Sequence, residues 1–468
     1  MLVGIVLAAG LGKRMNSKRH KVVHEVCGKP MIEHIVEEML AVGFDRLFVV
    51  VGKLEEQVRD VLGDKVEYIR QSEQLGTGHA VMMAAPYLPE NGTAVVLYGD
   101  CPLVRREEIL RLLTTVKDSG GTAVQTAVVD NPFAYGRILR DARGDVSRIV
   151  EEKDATAEQR LIREVNSGIY AFSIPSLRAS LEKLSRDNAQ GEYLLTDCIE
   201  HIRRTGERIF PVVVADPDDI ANVNDRIQLS YVEEKLRKRI LLKHMQNGVT
   251  ILDPANTYVQ ADVVIGRDSV LLPGTMLEGA TVVGEDCVLG PNTRLRDAVI
   301  SDEVHIESSV VIGSSIAAGA MVGPFAYIRP GSVIGADTKI GDFVEIKNAA
   351  IGEGTKVSHL AYVGDSDVGK GVNIGCGVVT VNYDGYQKHR TVIGDNSFIG
   401  SNVNLIAPVT VGAGGYLATG STITDDVPEQ AFAIARERQT TKPDYANHLR
   451  RRLKDLHDSS AGRPPGKE

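Results

Sequence analysis

Two different periods run along the chain. In the first half, short apolar runs alternate with stretches of helical spacing. Residues 3–9 read as a buried strand, 30–42 as an amphipathic helix stopped by Gly43, and 46–51 as a second apolar run. Residues 55–62 are again helical, and 93–98 form a strand that ends at Gly99-Asp100. Strands alternating with helices predict an α/β domain with a mainly parallel sheet, whose ligands sit at the carboxyl ends of the strands. In the second half an aliphatic residue recurs every six positions. One run is Ile265, Leu271, Leu277, Val283, Leu289 and Leu295. After a shift of register come Ile300, Ile306 and Ile312, then Ile316, Val322, Ile328, Ile334, Ile340 and Ile346. After a broken stretch the run resumes at Ile393, Ile399, Leu405, Val411, Leu417 and Ile423. A period of six is the hexapeptide signature of a parallel β-helix, in which each unit is a short strand and a turn.

The interruptions carry the chemistry, because the repeat itself has none. The largest is 380–391, TVNYDGYQKHRT, an excursion of turn and basic residues. Between the halves, Leu229, Val232, Leu236 and Ile240 have helical spacing and predict one helix over about 225–246. The resulting domains are 1–226, a linker helix 227–247, and 248–468 with a polar, Pro/Gly-rich tail expected to be disordered from about 457.

Composition narrows the function. The formal net charge of −9 gives no global basic field for nucleic acid, and the absence of Trp with 5% aromatics argues against a base-stacking platform. Five widely spaced cysteines with no CxxC argue against a disulfide framework and fit a reducing compartment. The apolar N-terminal run lacks a basic segment before it and reads as a first strand. No apolar stretch is long enough to span a bilayer, so the expectation is a cytoplasmic protein with no membrane insertion.

Gly10 and Gly12 follow the first strand in LAAGLGKRM, with Arg14 and Lys21 close behind. Glycines let backbone N–H groups approach phosphate oxygens and the cations offset their charge, although the same segment also reads as a plain βα turn. Asp100, in LYGDCPL, ends a buried strand where such sheets bind ligands. Its carboxylate suits a Mg²⁺ shared with phosphates, or an N-cap. In the repeat, Arg329 and Lys347 lie three hexapeptides apart, so a three-hexapeptide coil would stack them as a phosphate clamp or as a solvated basic stripe. His359, in KVSHLAYVGD, falls where the repeat slips register.

The segments LAAGLGKRM, QSEQLGTGHA, YGDCPL, NPFAYGRI, IVEEKDAT, EVNSGIY and NVNDR stand in the order seen in sugar-1-phosphate nucleotidylyltransferases. Followed by hexapeptides with HLAYVGD and NYDG, they resemble the bacterial family of bifunctional N-acetylglucosamine-1-phosphate uridylyltransferase/glucosamine-1-phosphate acetyltransferases, over residues 3–442. The resemblance implies an α/β Rossmann-like nucleotidyltransferase domain followed by a left-handed parallel β-helix. It implies Leu7, Ala8, Ala9, Gly10, Gln71, Gly76 and Thr77 around the uridine nucleotide, with Arg14 and Lys21 on its phosphates. Tyr98, Gly99, Gly136, Glu151 and Asn166 would line the sugar site, and Asp100 and Asn224 would hold Mg²⁺. In the β-helix, Arg329, Lys347, Tyr362, Asn373 and Lys388 would bind the sugar phosphate, and His359 would be the general base. Cys376, Asn382, Tyr383, Ser401, Thr419 and Arg436 would contact acetyl-CoA. The implied substrates are UTP, glucosamine-1-phosphate and GlcNAc-1-phosphate, the assembly a homotrimer, and the product UDP-GlcNAc, a precursor of peptidoglycan and lipopolysaccharide. The chain departs from the family pattern at Lys13 (usually Thr), His20 (usually Pro), Cys376 (usually a small non-nucleophilic residue) and Thr419 (usually Ala).

Two rivals are weighed against this. One is a nucleotidylyltransferase for another sugar or nucleotide whose β-helix only drives assembly; Arg329, Lys347, His359 and the NYDG excursion argue against it. The other is a non-catalytic scaffold, against which Arg14, Lys21, Asp100 and Asn224 argue.

Overall fold

The computed structural model describes residues 1–461, which divide into two compact units, Met1–Val299 and the described residues from Ile300 onward. In the first unit the β-branched run Leu2–Ala8 is the buried central strand. It pairs in parallel with Arg46–Val51 on one side and with Thr93–Tyr98 on the other. Glu67–Arg70 extends the sheet in parallel beyond Arg46–Val51. Along its main strand order the sheet is mainly parallel, as expected, with one reversed member: the long strand Glu164–Ser173 runs antiparallel to both Thr93–Tyr98 and Thr122–Val128. Ile209–Val213 closes that edge in parallel with Thr122–Val128. Strand direction depends on the connections, which periodicity does not encode.

Helix Met31–Val42 begins after Pro30 and ends at Gly43, whose φ of 88° supplies the left-handed cap. Its buried Ile32, Ile35, Val36 and Met39 lie on one stripe against the sheet. Each such side chain removed from water contributes roughly 1.5–3 kcal/mol. The connecting helix is Arg226–Gln246. Its Val232, with Leu229, Leu236 and Ile240, packs on Met15, Val26, Met31 and Leu103. Glu233 accepts a 2.7 Å bond from Cys27 N, and Lys29 pairs with Asp262 of the first coil at 2.7 Å.

In the second unit three ladders of short parallel strands stack coil on coil. Tyr327–Ile328 lies over Glu345–Lys347, which is an advance of eighteen residues, so three hexapeptides make one coil. The next advance, from Ile346 to Val363, is seventeen. The stretch that looks broken in sequence is therefore continuous helix in shortened coils. Ile351, Val357, Val363, Val368 and Ile374 point inward, as does Thr380, whose hydroxyl accepts from Gly364 N at 2.7 Å. One expected core position is corrected: Val311, fully buried, replaces Ile312, because the spacing there is five on either side. Helix Tyr445–Ala461 continues past residue 457, where disorder was expected; the rest of that expected tail lies outside the described residues. No helix among the described residues is long and apolar enough to cross a membrane.

Candidate functional sites

Strands Leu2–Ala8 and Thr93–Tyr98 end side by side, with Leu7 opposite Tyr98. Their carboxyl ends open a cavity of about 360 Å³. Its lining includes Leu7, Ala8, Ala9, Gly10, Lys21, Gln71, Gly76, Thr77, Tyr98 and Asp100. Val223 N bonds Asp100 O at 3.0 Å and brings the following Asn224 to the same strand end. There Lys21 Nζ donates to an Asp100 carboxylate oxygen and, at 3.2 Å, to Asn224 Oδ1. Two oxygen donors from distant parts of the chain thus converge on one cation. Gln71 is buried and donates to Gly76 O at 3.2 Å, which holds the turn before helix Thr77–Ala84. Arg14 lies exposed on the turn Lys13–Met15, outside the cavity lining.

Further along the sheet, Gly136, Glu151 and Asn166 come together. A Cβ at Gly136 would lie 3.6 Å from both Glu151 Oε2 and Asn166 Cβ. Burial raises the Glu151 carboxyl, and Thr196 Oγ1 donates to it at 3.1 Å. Gly168, with φ of 84°, lets the Tyr98 ring press against the backbone; a Cβ there would stand 2.1 Å from the ring.

His20 fixes the loop that presents Lys21. It is fully buried, its N–H donates to Gln57 Oε1 at 2.7 Å, and its Nδ1 accepts from Val22 N at 3.3 Å. Its φ of −59° is one that proline also adopts. Burial, and then the Lys21 charge, lower its pKa to about 4. Unfolded, the ring takes up its proton near pH ~6.5, so between ~6.5 and 4 the unfolded chain binds more protons than the folded one. Stability therefore falls as the pH drops through that window, by ~3 kcal/mol from this residue. Urea midpoints at pH 7 and pH 4.5 are expected to separate more in the wild type than in His20→Pro; equal separations would contradict this.

In the β-helix the candidate residues gather on one corner and the ladder beside it. Asp342 pairs in register with His359. Backbone bonds Asn402 N→Cys376 O and Gly420 N→Ser401 O, at 2.7 and 2.9 Å, carry the same corner onward. Asp342, His359, Cys376, Ser401 and Thr419 therefore mark successive coils of one column. Glycines let these coils close up: a Cβ at Gly400 would lie 2.6 Å from Thr419 N. Arg436 continues the column, its Cδ 3.8 Å from a Cβ placed at Gly420.

Arg329, which directly follows strand Tyr327–Ile328, is joined by Lys347 and Tyr362 from the next two strands of the adjoining ladder. Arg329 bonds Glu345 at 2.8 Å. The excursion folds as a small hairpin, with Tyr383 bridged to Lys388, and returns Lys388 to the side of Lys347. The neighbouring Lys347 ammonium holds Lys388 below the usual lysine range. Asn382 donates to Tyr362 OH at 3.4 Å and also to Asp365. Asn373 lies on the ladder of His359, between Lys356 and Phe398.

Several residues of these sites have no part in the sequence reading. Gln74, Glu192 and Asn222 also line the first cavity. Asp365 is a buried hub, taking bonds from Asn348 at 2.6 Å and from Asn382, with Lys347 3.7 Å away. Burial opposes its charge, but these bonds and the Lys347 and Lys388 charges outweigh it and keep its carboxyl below the usual range. The available signal was the acid of YVGD, seventeen and eighteen residues beyond Asn348 and Lys347. Asp342 is the other, seventeen residues before His359.

Fold and sites define a nucleotidyltransferase domain joined to a hexapeptide-repeat transferase domain. Residues 4–168 match the MobA-like NTP transferase domain, 314–403 the GMPPB C-terminal domain, and 390–425 the bacterial transferase hexapeptide family of six repeats. The second domain is thus a left-handed parallel β-helix. The chain is 52% identical to the bifunctional protein GlmU of Acetivibrio thermocellus, over 95% of this chain and 97% of that protein. It is 54% identical to the same-named protein of Caldanaerobacter subterraneus subsp. tengcongensis, over 94% and 96%. It is 51% identical to that of Brevibacillus brevis, over 96% and 98%. The chain belongs to the GlmU family of bifunctional proteins.

Proposed function

We propose the following reading of how the two sites work. The protein is a bifunctional enzyme that makes UDP-GlcNAc, acetylating glucosamine-1-phosphate with acetyl-CoA and then coupling the product to UMP from UTP. The observation that supports the assignment of roles is that residues scattered in sequence meet: Lys21 with Asp100 and Asn224, and Lys347 with Lys388.

In uridylyl transfer a phosphate oxygen of GlcNAc-1-phosphate attacks the α-phosphorus of UTP, and pyrophosphate leaves with the broken P–O bond. The nucleophile is already ionised, so positioning and charge carry the catalysis and no side-chain base is needed. Leu7–Gly10 backbone, Gln71, Gly76 and Thr77 hold the nucleotide, while Lys21 and Arg14 offset phosphate charge. Tyr98, Gly99, Gly136, Glu151 and Asn166 seat the sugar. Asp100 and Asn224 fit Mg²⁺, since their hard oxygens already converge on one cation and this ion takes few protein ligands beside phosphates. When bound, the ion supplies positive charge to the phosphate oxygens.

In acetyl transfer the sugar amine attacks the thioester carbonyl, His359 takes the amine proton, and the C–S bond breaks to release CoA. The tetrahedral oxyanion is met by a backbone N–H near Cys376. Arg329, Lys347, Tyr362, Asn373 and Lys388 clamp the sugar phosphate. The corner column, with Asn382, Tyr383, Ser401, Thr419 and Arg436, offers a long edge for acetyl-CoA. The functional domains are 1–226 and 248–468, with 227–247 linking them, and the protein works in the cytoplasm, where its substrates are. A homotrimer accounts for the exposed Phe325–Phe343 stack, centroids 5.4 Å apart, and the exposed Leu360 beside it.

Lys388 is solvent-exposed enough to remove safely. Lys388→Ala is expected to raise KM for glucosamine-1-phosphate about 10–100-fold, the loss of one charge-assisted bond. The kcat of acetyl transfer and all of uridylyl transfer should stay near wild type. An unchanged KM would remove Lys388 from the clamp.

A further inference from the structure

Strand Lys339–Asp342 lies parallel to strand Lys356–His359, and the two strands end together with Asp342 in register with His359. At that end Asp342 Oδ1 stands 2.6 Å from His359 Nδ1. The other charged groups on these strands, Lys339 and Lys356, pair with each other three residues back. Neither side chain of the pair is sealed off: His359 is 60% exposed and Asp342 39%. A structural core pair would be buried. This one sits at the strand ends, partly open to solvent.

We propose that Asp342 is the positioning residue for His359, accepting the Nδ1 proton in a hydrogen bond, fixing one tautomer, and leaving Nε2 as the atom that removes the amine proton. The inference rests on the acetyl-transfer reading above. An ionised carboxylate can only accept, so the short contact requires the proton on Nδ1. The hydrogen bond from His359 is also the main reason the Asp342 carboxyl lies below its usual range, which keeps it in that accepting form. The balance of the step is simple. As the N–C bond forms, the Nε2 lone pair takes the amine proton and the ring becomes an imidazolium. Asp342 stays ionised and faces that new positive charge, and the departing CoA sulfur carries away the C–S electron pair and then takes up the proton. Asp342 touches no substrate; it acts through the ring.

The test uses the full-length protein and four forms: wild type, Asp342→Ala, Asp342→Asn and His359→Ala. In Asp342→Ala the kcat of acetyl transfer is expected to fall about 10–100-fold, with KM for glucosamine-1-phosphate and acetyl-CoA within about threefold. Uridylyl transfer in the same sample reports that the protein is folded and should not change. Asp342→Asn, whose amide oxygen can still accept from Nδ1, should recover part of the loss. With ¹⁵N-histidine label, the signal pair missing from His359→Ala belongs to His359. In wild type it should show a protonated Nδ1 and a bare Nε2, and in Asp342→Ala an average of both tautomers. An unchanged kcat, a loss confined to KM, or an unchanged tautomer would overturn the role of Asp342 while leaving His359 in place. If His359→Ala keeps full acetyl transfer, the base itself is wrong, and this outcome is separate from the first.

Discussion

Replacing Asp100 by alanine is expected to cut uridylyl transfer by at least ~10³-fold, while acetyl transfer stays within about twofold of wild type. Asp100 sits at the carboxyl end of strand Thr93–Tyr98, and its carboxylate is one of two oxygen acceptors that meet Lys21. Removing it takes away the charged oxygen that would hold Mg²⁺ beside the phosphates. It also leaves the Lys21 ammonium, only 13% exposed, with Asn224 as its remaining named partner. Part of the effect could therefore be on folding, and Asp100→Asn separates the two. The amide preserves shape and an acceptor for Lys21, so the protein should keep its unfolding midpoint, yet lose most uridylyl transfer because the charge is gone. Steady-state pyrophosphate release checks this. Wild-type rates in Asp100→Asn would show that the carboxylate charge has no catalytic part.

His359→Ala is expected to give the opposite pattern, a loss of ~10²–10⁴-fold in acetyl transfer with uridylyl transfer intact. The ring is 60% exposed and makes its bond to another rim residue, so little packing is lost. Thiol release from acetyl-CoA measures it directly. Because the amine must shed a proton to attack, the defect should shrink as the pH rises. Loss of both activities in either the Asp100 or the His359 variant, with folding preserved, would contradict two independent sites.

Much of this was legible in the residues because local patterns fix local structure. The runs Arg46–Val51, Glu55–Leu62 and Thr93–Tyr98 begin and end where their composition changes. The six-residue period placed the β-helix core because each coil repeats one inward aliphatic position. The antiparallel Glu164–Ser173 was hidden, since pairing direction is a long-range property. Val311 was hidden because two five-residue steps mimic a six and a four. The sites split the same way. Asp100 announced itself by ending a buried strand, and Arg329 and Lys347 by a spacing of three hexapeptides. Asp342 and Asp365 did not, because their partners lie one shortened coil away, at seventeen residues, where no constant period points. His20 looked like a departure in a loop, but its burial and φ show how the chain keeps that loop's shape with a different residue.

The central claim is that one chain performs both steps in order. The measurement that tests it most directly incubates the purified protein with glucosamine-1-phosphate, acetyl-CoA, UTP and Mg²⁺, omits each in turn, and follows CoA, pyrophosphate and UDP-GlcNAc. CoA should appear without UTP, while pyrophosphate should require either acetyl-CoA or added GlcNAc-1-phosphate. Pyrophosphate from another sugar phosphate with no release of CoA would contradict the account, and would leave the β-helix as an assembly device.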